Sequence, residues 1–205
     1  MEKINNIFER GVYESKQPQE RLFQADPNPE LFRTSFLEII HEDIEIYVVD
    51  EFNQGLINQL YLWMIGSENF KGDLFKGILI LGKVGCGKTL LMNGFLYSFA
   101  HASRKVINLL HAKNLHTYIK EKGVSYYSER PLFIDDIGKE PTEAKDFGNA
   151  SKPFEDLIAF RSEKKCINFG TSNYALEDMP YPLHTIDRMK EMFNIIIMPG
   201  ESRRK

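Results

Sequence analysis

The chain reads Gly82-Lys83-Val84-Gly85-Cys86-Gly87-Lys88-Thr89 directly after an apolar run, residues 77–81. This is the pattern G-x-x-x-x-G-K-[ST] of the phosphate-binding P-loop, in the strand, loop and helix setting that the motif requires. Its glycines let the backbone turn tightly, so that successive N–H groups can point at an anion near the positive end of the following helix. The pattern therefore predicts a phosphate site between a strand and a helix.

Two side chains at the end of this loop are expected to act on the bound nucleotide. Lys88 would reach the β- and γ-phosphates, and the Thr89 hydroxyl would complete the shell of a Mg²⁺ ion. ATP and Mg²⁺ are the predicted cofactors. The expected nucleotide-binding residues are Gly82, Lys83, Val84, Gly85, Cys86, Gly87, Lys88, Thr89 and Leu90.

Length and composition are those of an ordinary globular protein. The 205 residues fit one domain with an extension, and a net charge of −3 does not suggest a free-standing nucleic-acid binder, although a local basic patch is possible. The two cysteines, Cys86 and Cys166, lack C-x-x-C spacing, and the histidines lack metal-ligand spacing. With no signal peptide and no apolar run near 18 residues, we expect a reduced, cytoplasmic setting and no membrane span.

The second half of the chain alternates short apolar strands with helices. This alternation predicts an α/β fold with a parallel sheet covered on both faces. Strands are expected at 77–81, 106–110, 132–134, 166–170 and 194–198, and helices at 88–101, 113–122 and 153–164.

The first half is predicted to be mostly helical. Residues 1–25 form either a loose arm or a partner-docking helix, a helix follows over 29–40, and 44–49 is extended. Asp50 is expected to cap a helix that runs to about Ile65. That helix presents Leu56, Leu60, Trp63 and Met64 on one face, with Trp63 in the core. We divide the chain into an N-terminal extension, 1–50, and an ATPase domain, 51–205.

Two adjacent acids, Asp135 and Asp136, end the strand Leu132-Phe133-Ile134. Adjacent carboxylates are costly to bury unless a cation or hydrogen bonds compensate them, and Mg²⁺ on ATP would do so. Asp135 is expected in the metal shell, and Asp136 is expected to face the attacking water.

Residues further along the sequence could belong to the same site. Asn173, after the fourth strand, could orient water against the γ-phosphate, although Ser-Asn after a strand is also ordinary turn chemistry. Arg188 could be supplied to the γ-phosphate of a neighbouring subunit, or could pair with Asp187 or Glu191. Arg161 competes for that role. The basic tail 203–205 is either solvated or in contact with phosphate.

Together these residues resemble the DnaC/IstB-like branch of the AAA+ ATPases. The resemblance covers about residues 71–200 and rests on the P-loop, Phe-Ile-Asp-Asp-Ile-Gly at 133–138, Thr-Ser-Asn at 171–173 and Asp-Arg-Met at 187–189. It implies a five-stranded sheet in the order 5-1-4-3-2, and ATP bound between subunits of a ring or spiral with Arg188 as arginine finger. Family members load replicative helicases onto single-stranded DNA or help transposases to select targets.

The chain also departs from the family pattern. Many AAA+ proteins have Glu where this chain has Asp136, and the shorter carboxylate argues against fast hydrolysis. The chain stops soon after the last strand, so we expect no helical lid, and residues 1–50 match no loader N-terminal pattern.

The main hypothesis is a Mg²⁺-dependent ATPase that acts as a nucleotide switch in DNA replication, like a helicase loader. The alternatives are a transposase-associated ATPase, an ATP-binding module with negligible hydrolysis, and a small-molecule kinase, for which no Arg-rich lid is seen between 138 and 165. Single-stranded DNA is a possible partner. Lys83, Arg104, Lys105, Lys113 and the tail could contact it, or could be solvated.

Overall fold

The computed structural model of the protein describes residues 28–43, 48–128, 130–141, 144–146 and 149–203. The predicted N-terminal arm, 1–25, and most of the predicted extended segment, 44–49, lie outside these ranges. Within them, no helix is both long enough and apolar enough to cross a bilayer.

Helices and strands alternate in the order that the sequence predicts. The helices are α1 (Pro29–Asp43), α2 (Gln54–Met64), α3 (Lys88–Ser103), α4 (Leu115–Lys122), α5 (Pro153–Glu163) and α6 (Leu183–Met192). The strands are β1 (Gly77–Leu81), β2 (Asn108–His111), β3 (Leu132–Ile137), β4 (Ala144–Asp146), β5 (Asn149–Ser151), β6 (Asn168–Ser172) and β7 (Phe193–Ile197).

Five parallel strands form the main sheet in the order β2-β3-β6-β1-β7. Counted along the chain, this is the predicted order 5-1-4-3-2, which is confirmed. The central strand β1 pairs with β6 and β7, and β3 lies on the other side of β6. The segment 138–152, predicted only as polar, contains the small antiparallel pair β4–β5.

Two local predictions are wrong. The apolar run 106–110 is typical of a buried strand, but β2 is an edge strand and Leu109 is 51% exposed. Helix α2 begins at Gln54 rather than beside Asp50. The cause is a turn: the Asp50 carboxylate accepts from Phe52 N at 3.0 Å, while Asn53 Oδ1 accepts from Asp50 N at 2.9 Å.

Aromatic side chains fill the core on one face of the sheet, as predicted for Trp63. The Trp63 ring is fully buried, 5.5 Å from the ring of Phe169 and 5.7 Å from that of Phe99, and its Nε1 donates to Lys76 O at 2.9 Å. The predicted apolar face of α2 is buried as well. A second apolar cluster on the opposite face packs α4, α5 and α6 against the sheet.

Helix α1 crosses α3 closely at Gly94. A Cβ at Gly94 would lie 2.9 Å from Ile40 Cδ1 and 3.0 Å from the carbonyl oxygen of Phe36. Since the carbonyl belongs to the helix backbone, it cannot rotate away as a side chain could. The absence of a side chain at Gly94 therefore sets the distance between α1 and α3.

We expect Gly94→Ala to lower the free energy of unfolding by about 1–3 kcal/mol, because the added methyl forces α1 away from α3. The matched control is Gly55→Ala in α2, where a Cβ would meet nothing within 4 Å. That change should stabilise the protein by about 0.5–1 kcal/mol, since alanine loses less backbone entropy in a helix. Urea denaturation measures both, and equal stabilisation by the two changes would contradict the close crossing.

Candidate functional site

The predicted site residues lie at the carboxyl ends of three adjacent strands. The P-loop follows β1, Asp135 and Asp136 lie in the last half of β3, and Asn173 follows β6. Parallel strands end at the same edge of a sheet, which is where open α/β sheets bind ligands. The sheet order therefore brings together groups that are up to 91 residues apart in the sequence, from Gly82 to Asn173.

The glycines of the P-loop serve two different geometric needs. Gly85 and Gly87 have φ angles of 81° and 103°, in the left-handed region that favours glycine. Gly82 has no positive φ, but a Cβ there would lie 2.6 Å from the carbonyl oxygen of Met198. Gly82 is thus needed for close backbone approach rather than for its dihedral angles.

Hydroxyl groups from helix α3 and strand β6 converge on the Asp135 carboxylate. Thr89 Oγ1 donates to Asp135 Oδ1 at 2.8 Å, and Thr171 Oγ1 donates to the same oxygen at 2.6 Å. Asp135 is only 6% exposed, so these bonds offset much of the cost of burying its charge. The Thr171 hydroxyl also accepts from Asp136 N at 3.0 Å, which ties the end of β3 to β6.

The donor set fits Mg²⁺. Thr89 and Asp135 place a hydroxyl and a carboxylate oxygen side by side at the start of α3, and Mg²⁺ prefers few protein oxygens together with phosphate and water. Among the residues that the structure describes, no three His, Cys, Asp or Glu side chains come together as an all-protein metal cage.

Lys88 is buried and uses all three of its N–H donors within the chain. Its Nζ donates at 2.8 Å to Gly82 O, to Lys83 O and to Asn173 Oδ1. Burial lowers the pKa of Lys88, and the neighbouring Cys86, Asp136 and Asp135 oppose that shift. A phosphate that binds Lys88 must therefore replace at least one of these bonds.

Asn173 connects Lys88 to Asp136. Its amide nitrogen donates to Asp136 Oδ1 at 2.9 Å, while its oxygen accepts from Lys88. Reversing the amide would place its NH₂ group against the Lys88 ammonium, so the two partners define its orientation. The predicted water-orienting pair, Asp136 and Asn173, is thus in direct contact.

Asp136 lies in an unusual backbone conformation. Its φ is 62°, and the register between β3 and β6 shifts between Ile134 and Ile137, as in a β-bulge. A left-handed conformation costs a non-glycine residue about 1–2 kcal/mol, and such strain is found where a bulge re-aims a functional side chain. The Asp136 carboxylate also pairs with Lys139 at 2.7 Å.

Three contributors to this network were not predicted. Thr171 was noted only as part of Thr-Ser-Asn, and Lys139 and His111 were given no role. His111 Nδ1 lies 3.6 Å from Asp135 Oδ2, because the two residues are register partners on β2 and β3. Strand register could have identified His111 and Thr171, but the register depends on the sheet order.

Two arginines were candidates for acting on a neighbouring subunit. Arg188 lies half-buried on α6 and makes no hydrogen bond or ion pair with any described residue, while its neighbour Asp187 pairs with Lys190. Arg161 is fully buried, and its guanidinium donates to Asn168 Oδ1 and to the carbonyls of Tyr127, Arg130 and Ile167. The proposed role of Arg161 between subunits is wrong, because this side chain is enclosed by its own chain.

The segment 198–203 lies along the P-loop and is called the strap below. Arg203 N donates to Gly85 O at 2.9 Å, and the exposed side chains of Lys83 and Glu201 form an ion pair. The Arg203 guanidinium pairs with Asp50 at 2.8 Å. The basic tail therefore contacts the P-loop backbone and the turn before α2, and Arg204 and Lys205 lie outside the described residues.

The pair Asp50–Arg203 makes stability depend on acid pH. The hydrogen bond from Arg203 holds the pKa of Asp50 below its ordinary value of 3.8. Because the folded pKa is the lower one, the pair contributes at pH values above 3.8, and its contribution disappears as the pH falls through the folded pKa.

We therefore expect Arg203→Gln to move the pKa of Asp50 up toward 3.8, as measured by carboxyl NMR titration. The melting temperature should be slightly lower than that of the unchanged protein at neutral pH. The two proteins should melt alike once Asp50 is protonated. A difference that persists at the acid end would show that the strap is held by other contacts.

Comparisons with known proteins gave matches among solved structures. No protein-family model and no curated protein matches the chain. The crystal structure of DnaI superimposes with a TM-score of 0.59 at 19% identity, over 86% of this chain and 94% of that one. The DnaC helicase loader gives 0.56 at 16% identity, over 84% and 100%.

The replication initiator DnaA bound to AMPPCP and single-stranded DNA gives a TM-score of 0.57 at 15% identity, over 85% of this chain and 51% of that one. At these identities the likeness concerns the fold. The sheet order, the P-loop between β1 and α3, and these similarities agree: the chain has the AAA+ form of the P-loop α/β fold, and this fold is similar to those of DnaI and the DnaC helicase loader.

Proposed function

We propose that the protein is a Mg²⁺-dependent ATPase that acts as a nucleotide switch in DNA replication, in the manner of a helicase loader. The observation that carries this proposal is the pair of hydrogen-bonded chains that join the P-loop to the neighbouring strand ends. One runs Thr89–Asp135–Thr171, and the other runs Lys88–Asn173–Asp136.

The first hydrogen-bonded chain, Thr89–Asp135–Thr171, would hold the metal ion. Thr89 and Asp135 are its expected ligands, and Mg²⁺ would neutralise charge on the β- and γ-phosphates. Thr171 keeps the Asp135 carboxylate in place from β6, so the orientation of the ligand does not depend on the P-loop alone.

The residues of the second hydrogen-bonded chain, Lys88–Asn173–Asp136, would detect the γ-phosphate and promote its hydrolysis. Lys88 would exchange its bond to Asn173 for a phosphate oxygen, because its three donors are otherwise taken up. Asn173, released from Lys88, would hold the attacking water together with Asp136. The state of the Lys88–Asn173 bond would thus differ between the nucleotide-bound and nucleotide-free protein, which is what a switch requires.

Arg188 would complete the site from a neighbouring subunit. Its side chain has no hydrogen bond or ion pair with the described part of its own chain, so it is available to an anionic partner. An arginine supplied in this way stabilises charge in the transition state of phosphoryl transfer. ATP would then be bound between subunits of a ring or spiral.

The proposed setting in replication follows from structural likeness. The similar structures include a helicase loader and a replication initiator bound to an ATP analogue and single-stranded DNA. A replicative helicase is therefore the favoured partner, in preference to a transposase, and the cytoplasm is the expected location.

We expect Lys88→Ala to reduce ATP turnover by at least about 100-fold, because it removes the cation that faces the transferring phosphate. Arg188→Ala should reduce turnover by about 1,000-fold if the arginine acts as proposed. Phosphate release under steady-state conditions measures both. A matched control is Lys190→Ala, which removes a cation from the same helix, one that is already paired with Asp187.

Mixing the two inactive variants tests the intersubunit site. Lys88→Ala protein still carries Arg188, and Arg188→Ala protein still binds ATP, so mixed oligomers should regain part of the lost activity. If Arg188→Ala alone hydrolyses ATP at the normal rate, then the intersubunit role of this arginine is wrong.

A second candidate function is an ATP-binding module with negligible hydrolysis. The observation that favours it is the ion pair between Asp136 and Lys139, which engages the carboxylate that would act on water. Single-turnover hydrolysis separates the two functions. An unchanged rate in Asp136→Asn would support the binding module, whereas a loss of about 100-fold would support the ATPase.

A further inference from the structure

A basic groove lies at the amino ends of β2, β3 and β6, the edge of the sheet opposite the P-loop. It consists of two adjoining cavities of about 450 Å³ and 580 Å³, which share Ser128, Arg130 and Lys164. We call it the basal groove. Its cationic lining is Arg104, Lys105, Lys122, Arg130, Lys164 and Lys165.

These six cations are exposed, and none forms an ion pair with a described residue. Among the described residues, neither Asp nor Glu lines the groove. Glu129, between Ser128 and Arg130 in the sequence, lies outside the described residues. A protein of net charge −3 thus carries a surface of strongly positive local potential.

Arg161 adds a seventh positive charge directly beneath the groove. The side chain is fully buried, and its partners are uncharged: Asn168 Oδ1 and three backbone carbonyls, including those of Arg130 and Ile167. Burial lowers its pKa to about 10, so it stays charged at neutral pH. Buried charges are usually paired, and here no carboxylate of the described chain supplies the pair.

Helix dipoles do not account for this charge. Helices α3, α4 and α5 all end at this edge, and cations are favoured near the negative end of a helix. Each helix end carries about half a negative charge, so three ends amount to roughly −1.5 against seven positive side chains. The helix ends therefore offset only part of the positive charge, and the groove attracts an external anion.

Two groove residues are held in a conformation that is unfavourable for them. Arg104 and Lys165 have φ angles of 55° and 51°, and Asp136 in the candidate active site is the third non-glycine residue with positive φ among the described residues. Glycine would fit positions after a helix better, by about 1 kcal/mol each. Strain of this kind is concentrated at functional sites.

Aromatic and apolar surface in the groove favours nucleic acid as the anion. Tyr126 is 51% exposed, and the Lys122 ammonium lies 4.6 Å from the centre of its ring. Val106, at the other end of the groove, is 62% exposed. Cations that follow a backbone, beside an exposed aromatic side chain on which a base can stack, are typical of single-strand binding.

We propose that the basal groove binds single-stranded DNA, with its cations on the phosphates and a base stacked on Tyr126. The site is separate from the ATP site, and it rests on the proposed function only in taking nucleic acid as the partner. The groove also differs from the set of candidate DNA contacts that the sequence suggests. It includes Arg104 and Lys105 from that set, but not Lys83 or Lys113.

Fluorescence anisotropy with a labelled oligothymidine, measured without ATP at several salt concentrations, tests the phosphate contacts. The variant is Arg130→Gln/Lys164→Gln, which removes the two charges shared by both cavities and keeps much of each side-chain stem. The charge-matched control is Arg33→Gln/Lys71→Gln, an exposed Arg and an exposed Lys outside the groove. The groove variant should bind at least ten-fold more weakly, and its salt slope should fall by about 0.7 per lost phosphate contact.

Equal binding by the groove variant and the unchanged protein would overturn the proposal, and so would a greater loss in the control variant. Displacement of the oligonucleotide by polyglutamate at equal charge would indicate an acidic protein partner and would also overturn it. Both variants should retain ATP binding, measured with a fluorescent ATP analogue. A variant that loses nucleic-acid binding but binds ATP normally therefore shows that the groove binds the nucleic acid. This conclusion holds even if the ATPase predictions fail.

A second variant tests stacking. Tyr126→Leu should weaken single-strand binding by about ten-fold, since stacking contributes roughly 1–3 kcal/mol per base, and it should leave duplex binding unchanged. An equal effect on single strands and duplex would show that Tyr126 does not stack on a base.

Discussion

The placement of β6 between β1 and β3 is the constraint on which the candidate active site depends. The P-loop and the two acids lie on strands that do not pair with each other, and β6 joins them by pairing with both. From β6 and the residue after it, Thr171 contacts Asp135 and Asn173 contacts Lys88. Without this order, neither the two acids nor Asn173 would be held next to the P-loop.

The same order gives the protein two sheet edges of opposite chemical character. At the carboxyl edge, the N-terminus of α3 and the P-loop backbone face the position expected for phosphate, beside Asp135 and Asp136. At the amino edge, three helices end. The positive charge of the side chains there exceeds the negative charge of the three helix ends. Arg161 joins the starts of β3 and β6 at this edge, because its guanidinium donates to the carbonyl of Arg130, just before β3, and to Asn168 Oδ1 at the start of β6.

Polar contacts hold the site, whereas apolar packing holds the core. The core around Trp63 is close-packed and has one arrangement. Lys88, in contrast, donates to three acceptors, and one of them, Asn173, also donates to Asp136. The strap adds contacts to the outer side of the same loop through Gly85 and Lys83.

Features that are encoded locally could be predicted from the sequence. The spacing of residues 82–89 identified the P-loop, apolar runs located all five strands of the main sheet, and helical periodicity put Trp63 in the core, because each depends on neighbours within a few residues. The strand order came from family resemblance and not from the pattern. The bonds of Thr171 to Asp135, of Arg203 to Asp50 and of Arg161 to Tyr127 could not be predicted, nor could the basal groove. These contacts join residues 34–153 positions apart, and only the packed sheet and helices bring such groups within hydrogen-bonding distance.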